Sequence, residues 1–216
     1  MSKIGVFDSG VGGESVAKAI KQALSNDEVV YREDRNNVPY GTKTIEEIYQ
    51  ACKPVIDSLV TDGCEVIVIA CNTVTTNLID RLRAEITVPL IGMEPMVKPA
   101  AEETKSKVIA VCATPRTLSS QRYQTLKETY ASEVRVLEPD CSDWAAMIEH
   151  NDIDMQAMQS RINEVLDQGA DQIVLGCTHY HWIEDKIQQL AKGRATVLQP
   201  EQPVIEQLKR VLAQQP

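Results

Sequence analysis

The sequence predicts an α/β protein of two similar lobes, each with a mainly parallel central sheet, the two related by a pseudo-twofold axis. Three observations lead there. Short β-branched runs alternate with longer helical patterns along the whole chain, the signature of βαβ units with right-handed crossovers. The runs at 66–70 and 108–112 are apolar on both parities, as strands covered on both faces must be. Finally, the chain echoes itself. Lys3-Ile-Gly-Val-Phe-Asp8 resembles Lys107-Val-Ile-Ala-Val-Cys112, and Val66-Ile-Val-Ile-Ala-Cys71-Asn-Thr resembles Gln172-Ile-Val-Leu-Gly-Cys177-Thr-His, at nearly equal separations.

In chain order, strands are expected at Lys3–Phe7, Glu28–Arg32, Val66–Ala70, Val88–Gly92, Val108–Cys112, Val134–Glu138, Gln172–Leu175 and Thr196–Leu198. Each is a short Val/Ile/Leu-rich run, as a buried strand requires. Helices are expected at Gly13–Leu24, Thr44–Asp62, Thr75–Glu85, Ser119–Tyr130, Asp143–Glu149, Met155–Gln168, Trp182–Lys192 and Pro203–Gln214, where longer stretches read as helical. The lobe boundary falls near Glu94-Pro95-Met96. Residues 1–94 with about 199–216 then form the first lobe and 95–198 the second, the last helix packing back on the first.

The 216 residues allow one large domain or two small ones. Hydrophobic residues are 43% and charged residues 25%, a globular balance that argues against disorder. With one Phe and 4% aromatics the core must be aliphatic. The net charge of −9 opposes the sign that tracking a phosphate backbone demands, so no nucleic-acid partner is expected. The longest apolar runs, such as Val66–Cys71, are strand-sized and far short of the roughly 20 residues of a spanning helix, so no membrane association is expected. The first residues read as a strand rather than as the charged and apolar regions of a secretory leader, so no leader is expected. Its six cysteines include no CxxC pair, and reduced thiols in the cytoplasm are the expectation.

Ligands of parallel sheets bind beyond the carboxyl ends of the strands, and there the polar clusters lie. Asp8-Ser9-Gly10-Val11-Gly12-Gly13 follows the first strand and opens a helix; its glycines admit close backbone approach and its amides can hold an anion. A dinucleotide fingerprint would need glycine at 15, where Ser15 stands. Cys71-Asn72-Thr73 and Cys177-Thr178-His179 each leave an apolar strand for small polar residues, which brings a thiol to the cleft. Cys52, Cys64 and Cys112 read instead as small buried hydrophobes. Each cleft thiol has a candidate proton partner: His179 for Cys177, and Asp8, on a neighbouring strand end, for Cys71.

A free thiol with a pKa near ~8.5 can be tuned to exist as thiol or thiolate near neutrality. With one on each facing lobe, a thiolate removes a proton from one face of a carbon while the opposite thiol supplies one to the other face, a two-base stereoinversion. A metal on Cys177-Thr-His179-Tyr-His181 would be strained for tetrahedral ligation, so no metal is expected. A Cys71–His179 hydrolase would leave Cys177 unused.

At these residues the chain resembles the glutamate racemases of the cofactor-independent aspartate/glutamate racemase superfamily. The resemblance rests on Ile4-Gly-Val-Phe-Asp8-Ser9-Gly10-Val-Gly-Gly13, Val38-Pro-Tyr40-Gly41, Ala70-Cys71-Asn72-Thr73, Gly92-Met-Glu94-Pro95 and Leu175-Gly-Cys177-Thr178-His179-Tyr180, in order over residues 4 to about 182. It implies an active site between the lobes, no pyridoxal phosphate or other cofactor, and glutamate as the small-molecule partner. Cys71 and Cys177 match the acid/base thiols, Asp8 and His179 their supports, and Glu149 a glutamate near the second thiol. Ser9, Tyr40, Gly41, Asn72, Thr73, Thr114, Thr117 and Thr178 match positions that hold the amino acid. The implied product, D-glutamate, serves bacterial peptidoglycan. The resemblance leaves a homodimer open.

The chain departs from that pattern at several points. Glu14 stands where a small or aliphatic residue is usual, which places an extra anion beside the expected carboxylate site. His181-Trp182 replace Pro-Leu, Cys112-Ala113 precede Thr114 where Gly is usual, Gln199 stands where Asp is common, and the tail after Leu198 is shorter than typical. Two other readings accompany glutamate racemisation: a racemase of the same superfamily acting on aspartate or another acidic amino acid, and a catalytically weak carboxylate-binding regulatory protein.

Overall fold

The computed structural model describes residues 1–214; positions 215 and 216, the end of the tail expected in the first lobe, lie outside the described residues. The first sheet holds β1 (Lys3–Asp8), β2 (Glu28–Glu33), β3 (Val66–Ile69) and β4 (Leu90–Gly92), interleaved with α1 (Gly13–Ala23), α2 (Ile45–Thr61) and α3 (Asn72–Glu85). After α4 (Val97–Glu103) comes the second sheet, of β5 (Val108–Ala113), β6 (Arg135–Leu137), β7 (Gln172–Gly176) and β8 (Thr196–Leu198). Its helices are α5 (Pro115–Leu118), α6 (Gln121–Tyr130), α7 (Trp144–Glu149), α8 (Met155–Asp167) and α9 (Glu184–Ala191), and α10 (Glu201–Leu212) closes the chain.

The strand orders are β2-β1-β3-β4 and β6-β5-β7-β8, with every pairing parallel. The internal echo is therefore a topological repeat: β1 and β3 occupy in one sheet the places of β5 and β7 in the other. Register aligns Ile4 with Val66 and Ile109 with Gln172, so the polar segments after both central strands leave each sheet at one edge.

Each sheet is sandwiched, as the two-sided apolar runs require. Ile4, Val6, Val66 and Val68 face α1 and α10, where Val204, Ile205 and Leu208 complete the layer. Phe7, Ile67 and Ile69 face α2 and α3 on the other side. In the second sheet Ala110, Cys112, Ile173 and Leu175 pack on α7, α8 and α9, and Ile109, Val111 and Val174 on α4 and α6. The period-two alternation of each strand thus splits its side chains between two cores.

All eight expected strands form, with ends shifted by at most two residues. The helices differ more, and at instructive places. α3 begins at Asn72, directly after Cys71, rather than at Thr75. The Asn-Thr-Val-Thr-Thr run looks like a loop, yet Thr75 Oγ1 donates to the Ile69 carbonyl and Thr76 Oγ1 to that of Asn72, so the hydroxyls are satisfied inside a buried helical turn. The expected helix over 182–192 starts at Glu184, behind a 3-10 segment at Thr178–Ile183. The expected helix over 119–130 starts at Gln121, where Ser120 caps α6, and ahead of it Thr114 caps a short α5, not expected from the sequence, with Pro in its first turn. The seven residues of α4 carry too short a pattern to be read beforehand. Among the described residues no helix is long and apolar enough to cross a membrane.

Candidate active site

A cavity of about 250 Å³ lies between the two sheets. Cys71, Asn72 and Thr73 enter it from the junction of β3 and α3, Ser9 from the segment after β1, and Cys177, Thr178 and His179 from the end of β7. Tyr40 and Gly41 reach it on a 3-10 turn over Tyr40–Thr42, Thr114 from the end of β5, and Glu149 from the end of α7. Thr117 is fully buried behind this lining and acts on it through Thr73 and Thr114.

The second-lobe thiol has a charged train behind it. Sγ of Cys177 lies 3.8 Å from Nδ1 of His179, whose Nε2 lies 2.9 Å from Oε2 of Glu149. Burial works against an imidazolium here, but the bonds to Cys177 and Glu149 outweigh it and hold His179 well above the ordinary histidine range. Glu149 moves the opposite way, drawn down by its bond to His179 against the cost of burial. Opposite shifts in the two partners describe one stabilised ion pair. Its imidazolium can share a proton with the Cys177 sulfur.

The first-lobe thiol is built differently. Cys71 stands at the start of α3, 5% exposed, its Sγ 3.4 Å from Oγ of Ser9. Burial, reinforced by the charge of Asp8, pushes its thiol well above the ordinary range, against the bonds from Ser9 and the Val74 amide. Asp8 was expected as the proton partner of Cys71. Its hydrogen bonds go instead to the amides of Gly13 (2.9 Å) and Gly10 (3.4 Å) and to the hydroxyl of Thr178 (3.1 Å), while the hydroxyl of Ser9 faces the sulfur. Buried completely, Asp8 is itself raised by desolvation. It closes the loop after β1 and ties that loop to the second lobe.

The remaining polar groups suit a small anionic ligand. Thr73, Thr114 and Thr117 form a triangle of hydroxyls, with oxygens 3.0 Å apart for 73–114 and 114–117 and 3.3 Å for 73–117. Such hydroxyls can reorient their protons together toward an incoming carboxylate. Asn72 lines the cavity with both polar atoms of its amide buried and, among the described residues, without a partner. An amide left unpaired in a buried site is poised for ligand atoms. Tyr40 does not aim its hydroxyl at the cavity: that group donates to Asp34 at 2.6 Å and fixes the turn that presents Gly41. Gly41 must lack a side chain, since a Cβ would come within 2.8 Å of Cβ of Thr114.

Glu14 corrects an expectation. It is the second residue of α1, exposed, and absent from the cavity lining, so it adds no anion to the ligand's surroundings. Several lining residues escaped sequence reading, among them Arg35, Ser142, Ala145, Ala146 and His150. Helical spacing would have found two of them, because 145 and 146 precede Glu149 by four and three positions on α7. The Cys71–His179 pairing of a hydrolase does not form; the imidazole serves Cys177.

The family model described as Asp/Glu/Hydantoin racemase matches residues 4–208. The chain is 38% identical to a protein of Ectopseudomonas mendocina named glutamate racemase, over 98% of this chain and 82% of that one. Glutamate racemase isoform RacE1 from Bacillus anthracis superposes with a TM-score of 0.84 at 26% identity, over 98% of this chain and 82% of that structure. Glutamate racemase from Francisella tularensis, solved in complex with D-glutamate, superposes at 0.80 and 26% identity, over 98% and 81%.

Proposed function

The chain belongs to the Asp/Glu/hydantoin racemase family, and from that membership we propose that it interconverts L- and D-glutamate by two-base proton transfer at Cα, with Cys71 and Cys177 as the bases. The observation that carries this reading is one cavity lined by two free thiols from separate sheets, each with its own hydrogen-bonding partner.

The chemistry balances without a cofactor. The thiolate of one cysteine takes the Cα proton, forming an S–H bond while the C–H electron pair passes to carbon and its carboxylate. The thiol of the other cysteine then gives its proton to the opposite face of that carbon. Asn72, Thr73 and Thr114, with Thr117 behind them, hold the substrate's carboxylates and share their growing charge. Ser9, the Tyr40–Gly41 turn and Thr178 complete the grip. His179, backed by Glu149, supports Cys177; Ser9 supports Cys71, and Asp8 holds the loop that carries Ser9. Burial of Cys71, Asn72, Thr73 and Thr178 strengthens these interactions.

The same reading assigns D-glutamate to bacterial peptidoglycan assembly and the enzyme to the cytoplasm, with which six free thiols are in keeping. It divides the chain into a first lobe of 1–94 with the segment from 199 onward and a second of 95–198. It also includes assembly as a homodimer, which sedimentation at micromolar concentration tests.

Proton NMR of L-glutamate with the purified protein in D2O, without added cofactor and followed by chiral analysis, is the deciding experiment. Loss of the Cα–H signal with appearance of D-glutamate is expected. Retention of the signal by folded, reduced protein overturns the proposal; exchange on aspartate instead would identify a different acidic substrate, and calorimetric binding without exchange a regulatory protein.

A further inference from the structure

Two departures from the resembled pattern, His181 and Gln199, both bond to Glu201 at the start of α10. The imidazole of His181 is 3% exposed, with Nδ1 3.3 Å from Oε1 of Glu201 at the start of α10 and 3.4 Å from Oγ of Ser15 in the first turn of α1. Gln199 accepts from the Glu201 amide at 2.8 Å and so fixes the start of α10. Burial alone would raise the Glu201 carboxyl, but the bonds from His181 and Ser15 outweigh it and hold it low. Nε2 of His181 is buried and, among the described residues, has no partner. An unpaired buried nitrogen costs stability, so packing does not account for a histidine at this position. What Nδ1 binds does.

The segment that carries His181 also carries Cys177, Thr178 and His179, and it lies directly on the first lobe. A Cβ on Gly12 would come within 2.5 Å of the His179 amide nitrogen and 2.6 Å of the Thr178 carbonyl carbon. Thr178 donates to Asp8 at 3.1 Å, and Trp182 Nε1 donates to the Val11 carbonyl at 3.1 Å. Three side chains of one 3-10 segment thus grip the loop and helix that begin at Asp8, and His181 alone adds a third element, α10.

We infer that His181 is a positioning residue: through Ser15 and Glu201 it ties the Cys177–His179 segment to α1 and α10 across the lobe boundary, and so sets where the second thiol stands relative to the first. The inference rests on the two-thiol racemase reading. Small misplacements of a reacting group reduce rate without removing the group. Of the two thiols only Cys177 lies on the tied segment itself, which gives the tie a signature that general loosening lacks.

The test combines kinetics of His181→Ala and Glu201→Ala with deuterium effects on kcat/KM for 2-deuterated L- and D-glutamate. Each variant is expected to lower kcat by about tenfold with KM nearly unchanged, because the carboxylate grips are intact. Slowing the Cys177-side transfer should raise the isotope effect for the enantiomer whose proton Cys177 removes and lower it for the other, whose deuteron is then lost in a pre-equilibrium. His181→Asn, whose amide reaches the position of Nδ1, should restore most of the rate. Isotope effects equal to those of the unaltered protein, with or without loss of rate, overturn the inference. Hydrogen exchange gives a readout independent of turnover: residues 177–183 and 10–16 should exchange at least about tenfold faster in His181→Ala, with β5 unchanged. Unchanged exchange there overturns the tie, whereas an unaltered protein that fails to racemise glutamate overturns the racemase reading.

Discussion

The two sheets share one topology but equip their thiols by opposite means. Around Cys177 the protein uses charge: an imidazolium 3.8 Å from the sulfur, itself paired with a carboxylate at 2.9 Å. Around Cys71 it uses a neutral hydroxyl at 3.4 Å and lets burial and the nearby Asp8 keep the proton on sulfur. A symmetric fold has therefore given its two thiols unlike surroundings. The proposed two-base chemistry draws on that difference: one thiol stands beside a neutral hydroxyl, the other beside a charged pair.

Removing either sulfur should break the comparison most severely. Cys71→Ala and Cys177→Ala are each expected to lose at least about 10²–10⁴-fold in kcat, the scale of a positioned acid or base. A variant with full activity would refute the two-thiol reading. Next in size is Glu149→Gln, which leaves His179 without its anionic partner. We expect kcat to fall by about tenfold or more, and the alkaline limb of the pH–rate profile to move to lower pH, because the bond to Glu149 helps hold the His179 pKa up.

The sign of the accompanying stability effect follows from linkage. The contribution of His179 is complete below its ordinary value of 6.5 and is lost as pH rises through its raised folded value. That of Glu149 is present above its ordinary 4.5 and is lost as pH falls through its lowered one. Thermal melts of the unaltered protein minus Glu149→Gln should therefore differ most between those limits, and a difference that grows continuously toward acid pH would contradict the ion pair.

Asn72→Ala removes the buried, unpaired amide that the proposed function gives to the substrate. With a buried polar contact valued at about 1–3 kcal/mol, KM should rise by about tenfold or more with little change in the pH profile. The smallest effect belongs to Ser9→Ala. A neutral hydrogen bond contributes about 0.5–1.5 kcal/mol, so kcat should fall by at most about tenfold, and the alkaline limb should stay in place. Equal pH shifts for Ser9→Ala and Glu149→Gln would erase the distinction between the half-sites.

Much of this was legible in the chain. The eight strands and the doubling of the fold could be read because a strand buried on both faces admits few residue types, and its repeat is visible as Val66–Cys71 and Gln172–Cys177. The motif residues Cys71, Asn72, Thr73, Cys177, Thr178 and His179 were legible because ligand-facing groups of parallel sheets cluster just past strand ends. The start of α3 was not, since Asn72 and the threonines after it are satisfied by helix carbonyls that no local pattern reveals.

The partners of the motif groups divide along the same line. Sequence alone determined which groups could carry chemistry and which strand ends they occupy, because residue type and periodicity are local. Only the tertiary structure decided that Asp8 binds Gly13 and Thr178 while Ser9 faces Cys71, that Glu149 rather than solvent backs His179, that Glu14 points away from the cavity, and that His181 reaches Ser15 and Glu201. Hydrogen bonds and pKa shifts depend on distances between segments far apart in the chain, and those distances exist only once both sheets are packed and their edges face each other.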